Sequence, residues 1–304
     1  MKVQSVQLQH FKKFANQTFN FTDLETGLAR DLILLVGMNG SGKTTLLQAI
    51  ATALGTATGR LEKPADLEWP GFNPHRYNSD WEKRSEVTLN VEFSSLETQA
   101  TVEFYQELND PNLTVVPSQN HLVSLQWKNG KVQADTAANL FQFQGRNYAK
   151  RVKRFFRDQG FDIFRRVGTV FWYTEQRTAT SLTPEVEIKE KLTEDLLRDR
   201  LSKWQQFHWA VEAEKIKLRP GQKDLYAAIE TAYQALFYGR SFIGPVPPEN
   251  IDDILQEPWF VLSDGKHQYE LSEMSGGERA IFPILMDFAN WNIHNSVILI
   301  DEIE

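Results

Sequence analysis

The chain has 304 residues, with 33 Lys plus Arg against 40 Asp plus Glu, a formal net charge of -7. Its 41% apolar and 24% charged residues exclude a disordered or collagen-like chain. It has no cysteine, which excludes disulfides, zinc-thiolate sites and Cys nucleophiles and agrees with a reducing cytosol. No run approaches the roughly 18 apolar residues of a membrane helix, and MKVQSVQLQH lacks the apolar run of a signal peptide. The expectation is therefore a cytoplasmic protein with no membrane segment. The length suggests about two domains, or one with a large insert. An acidic balance argues against polyanion binding over the whole surface but leaves room for a local basic patch.

Residues 2–21 read as two strands, around Val3, Val6 and Leu8 and then Phe19 and Phe21, with Phe11, Lys12, Lys13 and Phe14 between them. Residues 32–36 are five apolar residues running into a glycine cluster, the pattern of a buried parallel strand. Helix formers follow over residues 44–54, ending before Gly55. Residues 55–85 read as a structured loop. Residues 86–96 and 99–106 alternate like an antiparallel pair, and 122–134 continue it around an Asn129-Gly130 turn. A basic helix is expected at about 147–159 and an apolar strand at 167–173. Residues 184–217 and a second helix from Leu225 to Leu236 form a helical hairpin, with Thr183 and Pro184 suited to its start and Pro220-Gly221 to its turn. A hairpin at 258–271, a helix from about Ser275 and a buried strand at 297–300 complete the pattern.

The strongest motif is GMNGSGKTT, residues 37–45, which fits G-x-x-x-x-G-K-[ST], the Walker A loop. Glycines let the backbone wrap closely, so that successive N–H groups face phosphate oxygens, and the helix start adds positive potential. Asn39, Gly40, Ser41, Gly42, Lys43, Thr44 and Thr45 are the candidate ATP-binding residues. Lys43 reaches the β- and γ-phosphates, and the Thr44 hydroxyl suits Mg2+. The second motif is VILIDE, residues 297–302: an apolar strand ending in two carboxylates, a Walker B pattern. Asp301 suits the metal's water shell, and Glu302 suits the activation of a water.

The third motif, LSEMSGGER at residues 271–279, resembles the ABC signature. The order of motifs and the opening His10-Phe11-Lys12-Lys13-Phe14 turn resemble ABC-type ATPase heads of the RecF/SMC-like branch. The resemblance covers residues 1–54 and about 255–304, and the middle only loosely. It implies an α/β P-loop NTPase fold with an antiparallel β subdomain and a helical insert, without a long coiled coil. Residues 1–180 and 251–304 are then two parts of one head, and 181–250 a helical lid. The resemblance also implies a homodimer that sandwiches ATP. In that dimer Ser275, Gly276, Gly277 and Glu278 of one copy meet the γ-phosphate held by the other. Lys12 matches a basic residue that contacts nucleotide phosphate in some members. Gln176 stands where a Q-loop glutamine senses Mg2+ and the attacking water. The implied setting is DNA repair, chromosome handling or anti-phage defence. The alternative is an ATP-dependent dimerising scaffold with little turnover that regulates a partner effector. The Phe-Lys-Lys turn and the strand-rich insert do not resemble the nucleotide-binding subunits of membrane transporters.

Residues 146–166 carry eight basic residues, Arg146, Lys150, Arg151, Lys153, Arg154, Arg157, Arg165 and Arg166, against Asp158 and Asp162. A solvated face, a DNA- or RNA-binding face and a surface for an acidic protein partner all fit this segment, and its aromatics fit a core. The family pattern continues past Walker B with a D-loop, a strand and a switch histidine, whereas Glu304 follows Asp301 by three positions. The expectation is a piece of a longer ATPase, or a strand supplied by another segment. His294, just before Walker B, reads as a loop residue.

Overall fold

The computed structural model describes residues 1–73, 84–128, 130–155, 161–174, 194–219, 222–246 and 258–301. Strand β1 (Lys2–Phe11) owes its inner face to a bulge. Its register against the neighbouring strand shifts between Val3 and Ser5. The extra residue brings Val3 onto the buried side with Val6 and Leu8, although the three are not spaced by two. Strand β2 (Phe14–Asn20) folds back on β1 with Val6 opposite Phe19.

Helix α1 (Lys43–Ala57) follows the glycine loop. Strand β3 (Glu86–Glu92) then pairs with the other edge of β1. The expected strand at 99–106 is instead part of helix α2 (Ser95–Leu108). Ser94 caps it, its side chain accepting from the Glu97 N–H, and the buried positions 97, 98, 100, 101, 102 and 104 follow a helical face rather than strand alternation. The alternation in VEFYQ was a two-residue coincidence on a helical face. The antiparallel partner of β3 is β4 (Leu122–Lys128), which turns into β5 (Lys131–Ala134). Gly130 sits in this turn with φ 71°, and Asn129 lies outside the described residues. The sheet order is β2-β1-β3-β4-β5.

Helices α3 (Ala137–Gln142) and α4 (Gly145–Phe155) come next. Helix α4 buries Tyr148, Ala149 and Val152 against Ala100 and Phe104 of α2. Strand β6 (Val170–Tyr173) is wholly buried. Helix α5 (Glu194–Glu212), helix α6 (Leu225–Leu236) and a sheet of β7 (Ser241–Val246), β8 (Trp259–Ser263) and β9 (Gln268–Glu270) share a second core. Thr183 and Pro184, expected at the start of the long helix, and the Pro220-Gly221 turn lie outside the described residues. Strand β7 has no clear sequence signal, because Gly244 and Pro245 interrupt its apolar run. Helix α7 (Gly276–Trp291) extends from that second core, and β10 (Val297–Ile300) pairs in parallel with β6, Ile300 opposite Tyr173. Among the described residues, no helix is long and apolar enough to cross a membrane.

Helix α1 is the centre of the first core. Leu46, Ile50 and Leu54 share a cluster with Val87, Leu89 and Leu125 of the five-stranded sheet and with Val170, Trp172 and Leu299 of the parallel pair. Even its Gln48 and Thr52 are buried, so it is a core helix rather than an amphipathic surface one. Residues 32–36 depart from the expected buried strand. They are in no ladder, and Leu32, Leu34 and Val36 are exposed, while Leu35 alone packs on the core. Among the described residues no strand lies beside them to accept their backbone bonds.

One close approach joins the segments that lead into β6 and β10, and ties them to α2 and the amino terminus. Gly168 precedes β6, and its N–H donates to Glu97 at 3.0 Å. The Glu97 carboxylate also accepts from the Met1 α-ammonium at 2.5 Å, which offsets the burial that raises its pKa. A Cβ at Gly168 would overlap the Asn295 carbonyl oxygen, which is backbone and has no room to yield. Gly168→Ala is expected to lower unfolding stability by about 2–3 kcal/mol in denaturant titration. An unchanged midpoint would contradict this packing.

Candidate functional site

The glycine loop ends in a helix start built to receive an anion. Gly42, at φ 105°, is the N-cap of α1 and provides no side-chain cap. The first turn of α1 has no acidic residue, so its leading N–H groups point outward without a competing carboxylate. A Cβ at Gly42 would fall 2.6 Å from Cζ of Phe14, so the β1–β2 turn backs the loop directly. Lys13 in that turn donates to the Gly40 carbonyl. The Lys43 ammonium lies over the loop and donates to the carbonyls of Gly37 at 2.7 Å and Met38 at 3.3 Å.

Asp301 meets this loop from the far end of the chain. Its Oδ1 accepts from the Thr44 hydroxyl at 3.0 Å, and its Oδ2 from the Trp69 indole N–H at 3.3 Å. Its own N–H bonds the Tyr173 carbonyl at 2.9 Å, so the β6–β10 pair carries the carboxylate to Thr44. The loop, Thr44, Thr45 and Asp301 line one cavity of about 1030 Å³, together with residues 30–36. The cavity runs on along residues 295–300 to Met1 and Ser94, so the loop and Asp301 bound only part of it. The hydroxyl and carboxylate are hard oxygen donors of the kind Mg2+ takes alongside phosphates and water. Among the described residues no group of three His, Asp or Glu forms a metal cage, and a phosphate-bound Mg2+ needs none.

The other sequence candidates divide. Lys12 donates to Gln48 at 2.5 Å and to the Gly71 carbonyl at 3.0 Å, and burial lowers its pKa. Its neighbour Lys13, not Lys12, touches the loop in this structure. Gln176 and Glu302 lie outside the described residues. Phe14 of the opening turn backs Gly42, and Trp69, which belongs to none of the motifs, bonds Asp301. The only sequence signal for Trp69 is its place in the aromatic loop WPGF.

The signature stands apart, since Ser275, Gly276, Gly277 and Glu278 do not line the cavity. Ser275 caps α7, and the first turn presents Ser275, Gly276 and Gly277 to solvent. Glu278 is instead buried at 1% exposure. Its Oε1 accepts from Tyr233 at 2.5 Å and Tyr269 at 2.8 Å and is ion-paired with Arg240. Its Oε2 accepts from the Ser275 N–H at 2.9 Å and the Ser275 hydroxyl at 2.7 Å. Burial by itself would raise the Glu278 pKa. The bonds from Arg240, Tyr233 and Ser275 override it and hold the carboxyl at about 2.

The basic segment is partly structural. Arg146 is 5% exposed and donates to the carbonyls of Trp291, Asn292 and Phe164, closing the C-terminus of α7. Burial brings its pKa down to about 10. Arg151 pairs with Asp110, Arg166 with Glu103 and Arg165 with Asp162. Arg157 lies outside the described residues. His294 accepts from Arg165 at 3.3 Å, a loop contact as expected.

A family model described as AAA domain matches residues 5–234. The chain belongs to that family, which together with the Walker A loop makes it a nucleotide-binding P-loop ATPase by class. No curated protein matches it in sequence. Among solved structures it is similar to an SMC head bound to the C-terminal winged-helix domain of ScpA. That match has 12% identity and TM-score 0.40, over 100% of this chain and 90% of the other. It is also similar to the SMC head domain from Thermotoga maritima, at 15% identity and TM-score 0.39, over 99% of this chain and 77% of the other. A third, the Pyrococcus furiosus SMC head with an extended coiled coil bound to the C-terminal domain of ScpA, matches at 13% identity and TM-score 0.38. It covers 100% of this chain and 90% of the other.

The Glu278 network predicts a pH dependence. Its folded pKa of about 2 lies below the ordinary 4.5. The stabilisation is therefore fully present above about pH 4.5 and is lost as pH falls towards 2. Urea titrations across that range should show a shallower acid loss for Glu278→Gln than for wild type. Identical acid limbs would mean that Glu278 is not held as a buried anion. Arg146→Gln is expected to lower stability by about 2 kcal/mol through unpaired α7 carbonyls. A normal melting curve with reduced nucleic-acid affinity would reverse the reading of Arg146.

Proposed function

We propose that the chain is the head of a cytoplasmic ATPase of the RecF/SMC-like branch. It binds and hydrolyses ATP with Mg2+, and two copies close around the nucleotide. The head comprises residues 1–180 and 251–304, with 181–250 as a lid. The observation that carries this reading is the 3.0 Å bond between Thr44 Oγ1 and Asp301 Oδ1. It brings the two motifs that serve one metal-nucleotide complex to a single point across the fold.

The chain's groups divide the work. The leading N–H groups of α1 and the loop backbone hold the phosphates. Lys43 exchanges its carbonyl partners Gly37 and Met38 for phosphate oxygens, trading neutral acceptors for charged ones. Thr44 and Asp301 would hold the metal and its waters. When bound, Mg2+ neutralises charge on the β- and γ-phosphates. Glu302, the next residue along, is the proposed base for the attacking water, and Gln176 its proposed orienting partner. Ser275, Gly276 and Gly277 stand exposed outside the cavity, which supports their use by a second copy's γ-phosphate rather than by their own. ATP then acts as an adhesive between heads, and hydrolysis releases them.

The output passes to a partner effector or to nucleic acid, in DNA repair, chromosome handling or anti-phage defence. Arg146, Arg151 and Arg166 are committed to the chain's own carbonyls and carboxylates, which favours a protein effector over nucleic acid.

Lys43→Ala should weaken ATP binding by at least about tenfold in a fluorescent-nucleotide titration. Glu302→Gln should cut steady-state turnover by at least about 100-fold while ATP binding persists, and should accumulate an ATP-bound dimer. If Glu302→Gln leaves both turnover and oligomeric state unchanged, the chain is a nucleotide-responsive scaffold rather than a hydrolase.

A further inference from the structure

The acceptor that fixes the signature is wired to the helical hairpin. The Glu278 carboxylate has about four lone-pair sites. Five donor groups converge on it: Tyr233, Tyr269, Arg240, and the N–H and hydroxyl of Ser275. Tyr233 belongs to α6, and Arg240 stands just before β7. Neither is near the signature in sequence. Tyr233 is itself immobilised, its ring packed on Phe237, Phe242 and Phe282 at centroid distances of 5.0–5.7 Å. The Glu278 side chain is therefore held on Oε1 by Tyr233 of α6, by Arg240 just after it and by Tyr269 of β9, and on Oε2 by Ser275.

That arrangement has a consequence for Ser275. A serine has one O–H to donate, and here it is given to Glu278 at 2.7 Å. The same hydroxyl accepts from the Glu278 N–H at 3.4 Å. The orientation of Ser275, and with it the exposed first turn of α7, is thus set by where Glu278 sits. Withdrawing the Oε1 donors would leave a buried anion short of partners. It would either swing away or draw more strongly on the Ser275 proton. The first removes the carboxylate that orients Ser275 and the first turn of α7, and the second holds the Ser275 proton more tightly, so either one changes how the signature meets a phosphate arriving from outside.

We propose that Tyr233 and Arg240 are positioning residues that couple the α5–α6 hairpin to the signature through Glu278. A displacement of the hairpin is thereby converted into gain or loss of signature contact with a second copy's nucleotide. This rests on the reading that the signature engages nucleotide in an ATP-closed pair. The coupling runs both ways, so closure on ATP also pulls on the hairpin.

The test uses the full chain carrying Glu302→Gln, so that ATP is not consumed. Dimerisation with Mg2+-ATP is measured by analytical ultracentrifugation. Binding of a fluorescent ATP analogue is measured separately at concentrations where the chain is monomeric. Tyr233→Phe keeps the packed ring and removes only the hydroxyl, and Arg240→Gln removes the charge. Each is expected to weaken dimerisation about tenfold while ATP affinity stays within about twofold of the parent. Because both act on one carboxylate oxygen, the double variant should fall short of the product of the single effects. Arg240→Lys should restore part of the loss, and it carries the test if Tyr233→Phe does not fold. Folded variants that dimerise like the parent would overturn the proposal. So would variants that lose ATP affinity and dimerisation in equal measure. If the Glu302→Gln parent itself stays monomeric with ATP, the ATP-closed pair is wrong, and the coupling fails with it. That outcome is distinguished by appearing before any hairpin substitution is made.

Discussion

The site depends on one hydrogen bond, Thr44 Oγ1 to Asp301 Oδ1 at 3.0 Å. Its partners are 257 positions apart in the chain. Neither can be held in place locally. Thr44 is fixed because α1 is clamped between the five-stranded sheet and the parallel pair. Asp301 is fixed because β10 runs in register with β6, so that its N–H meets the Tyr173 carbonyl as the ladder ends. The packing of Leu46, Ile50 and Leu54 against both layers is therefore a condition of the chemistry and not only of stability.

Two cores serve two halves of the proposed cycle. The first holds the glycine loop and Asp301. The second, built from α5, α6, β7, β8 and the buried face of α7 around Phe282, Leu285 and Met286, holds the signature. Both place a carboxylate at their edge, and they treat it differently. Asp301 accepts from two neutral donors, Thr44 and Trp69. Glu278 is saturated by an arginine, two tyrosines and Ser275, and its low pKa fits a structural anion. Donor chemistry thus separates an acceptor open to ligand from one reserved for positioning.

The sequence made some of this legible for definite reasons. A phosphate loop needs its glycines at fixed spacing, and a capping box needs Ser275 and Glu278 three apart, so both are written locally. Antiparallel β1, β3 and β4 show through because one face of each is buried. Residues 99–106 alternate only because Val102 and Phe104 both fall on the buried side of a helix, and the Ser94 cap is the signal that marks the helix. The apolar run at 32–36 predicted burial, but burial of a strand needs a neighbour, and none is paired to it among the described residues. Trp69, Tyr233 and Arg240 were beyond sequence reasoning altogether. Each reaches its carboxylate through tertiary folding, Trp69 across 232 positions, and no local pattern records such a contact. Lys12 and Lys13 are adjacent and chemically alike. Only the positive φ at Lys12, 48°, and the contacts that follow distinguish the one facing Gln48 from the one on the loop.

The central claim is that the glycine loop and Asp301 form one metal-nucleotide site. The most direct measurement is anomalous diffraction from crystals of the full chain grown with Mn2+ and a non-hydrolysable ATP analogue. The account predicts a metal peak about 2.1 Å from Thr44 Oγ1, with Asp301 bound to it directly or through a water, and Lys43 turned from the Gly37 carbonyl onto phosphate. A nucleotide bound with its metal away from Thr44 and Asp301, or no nucleotide on the loop at all, would contradict it.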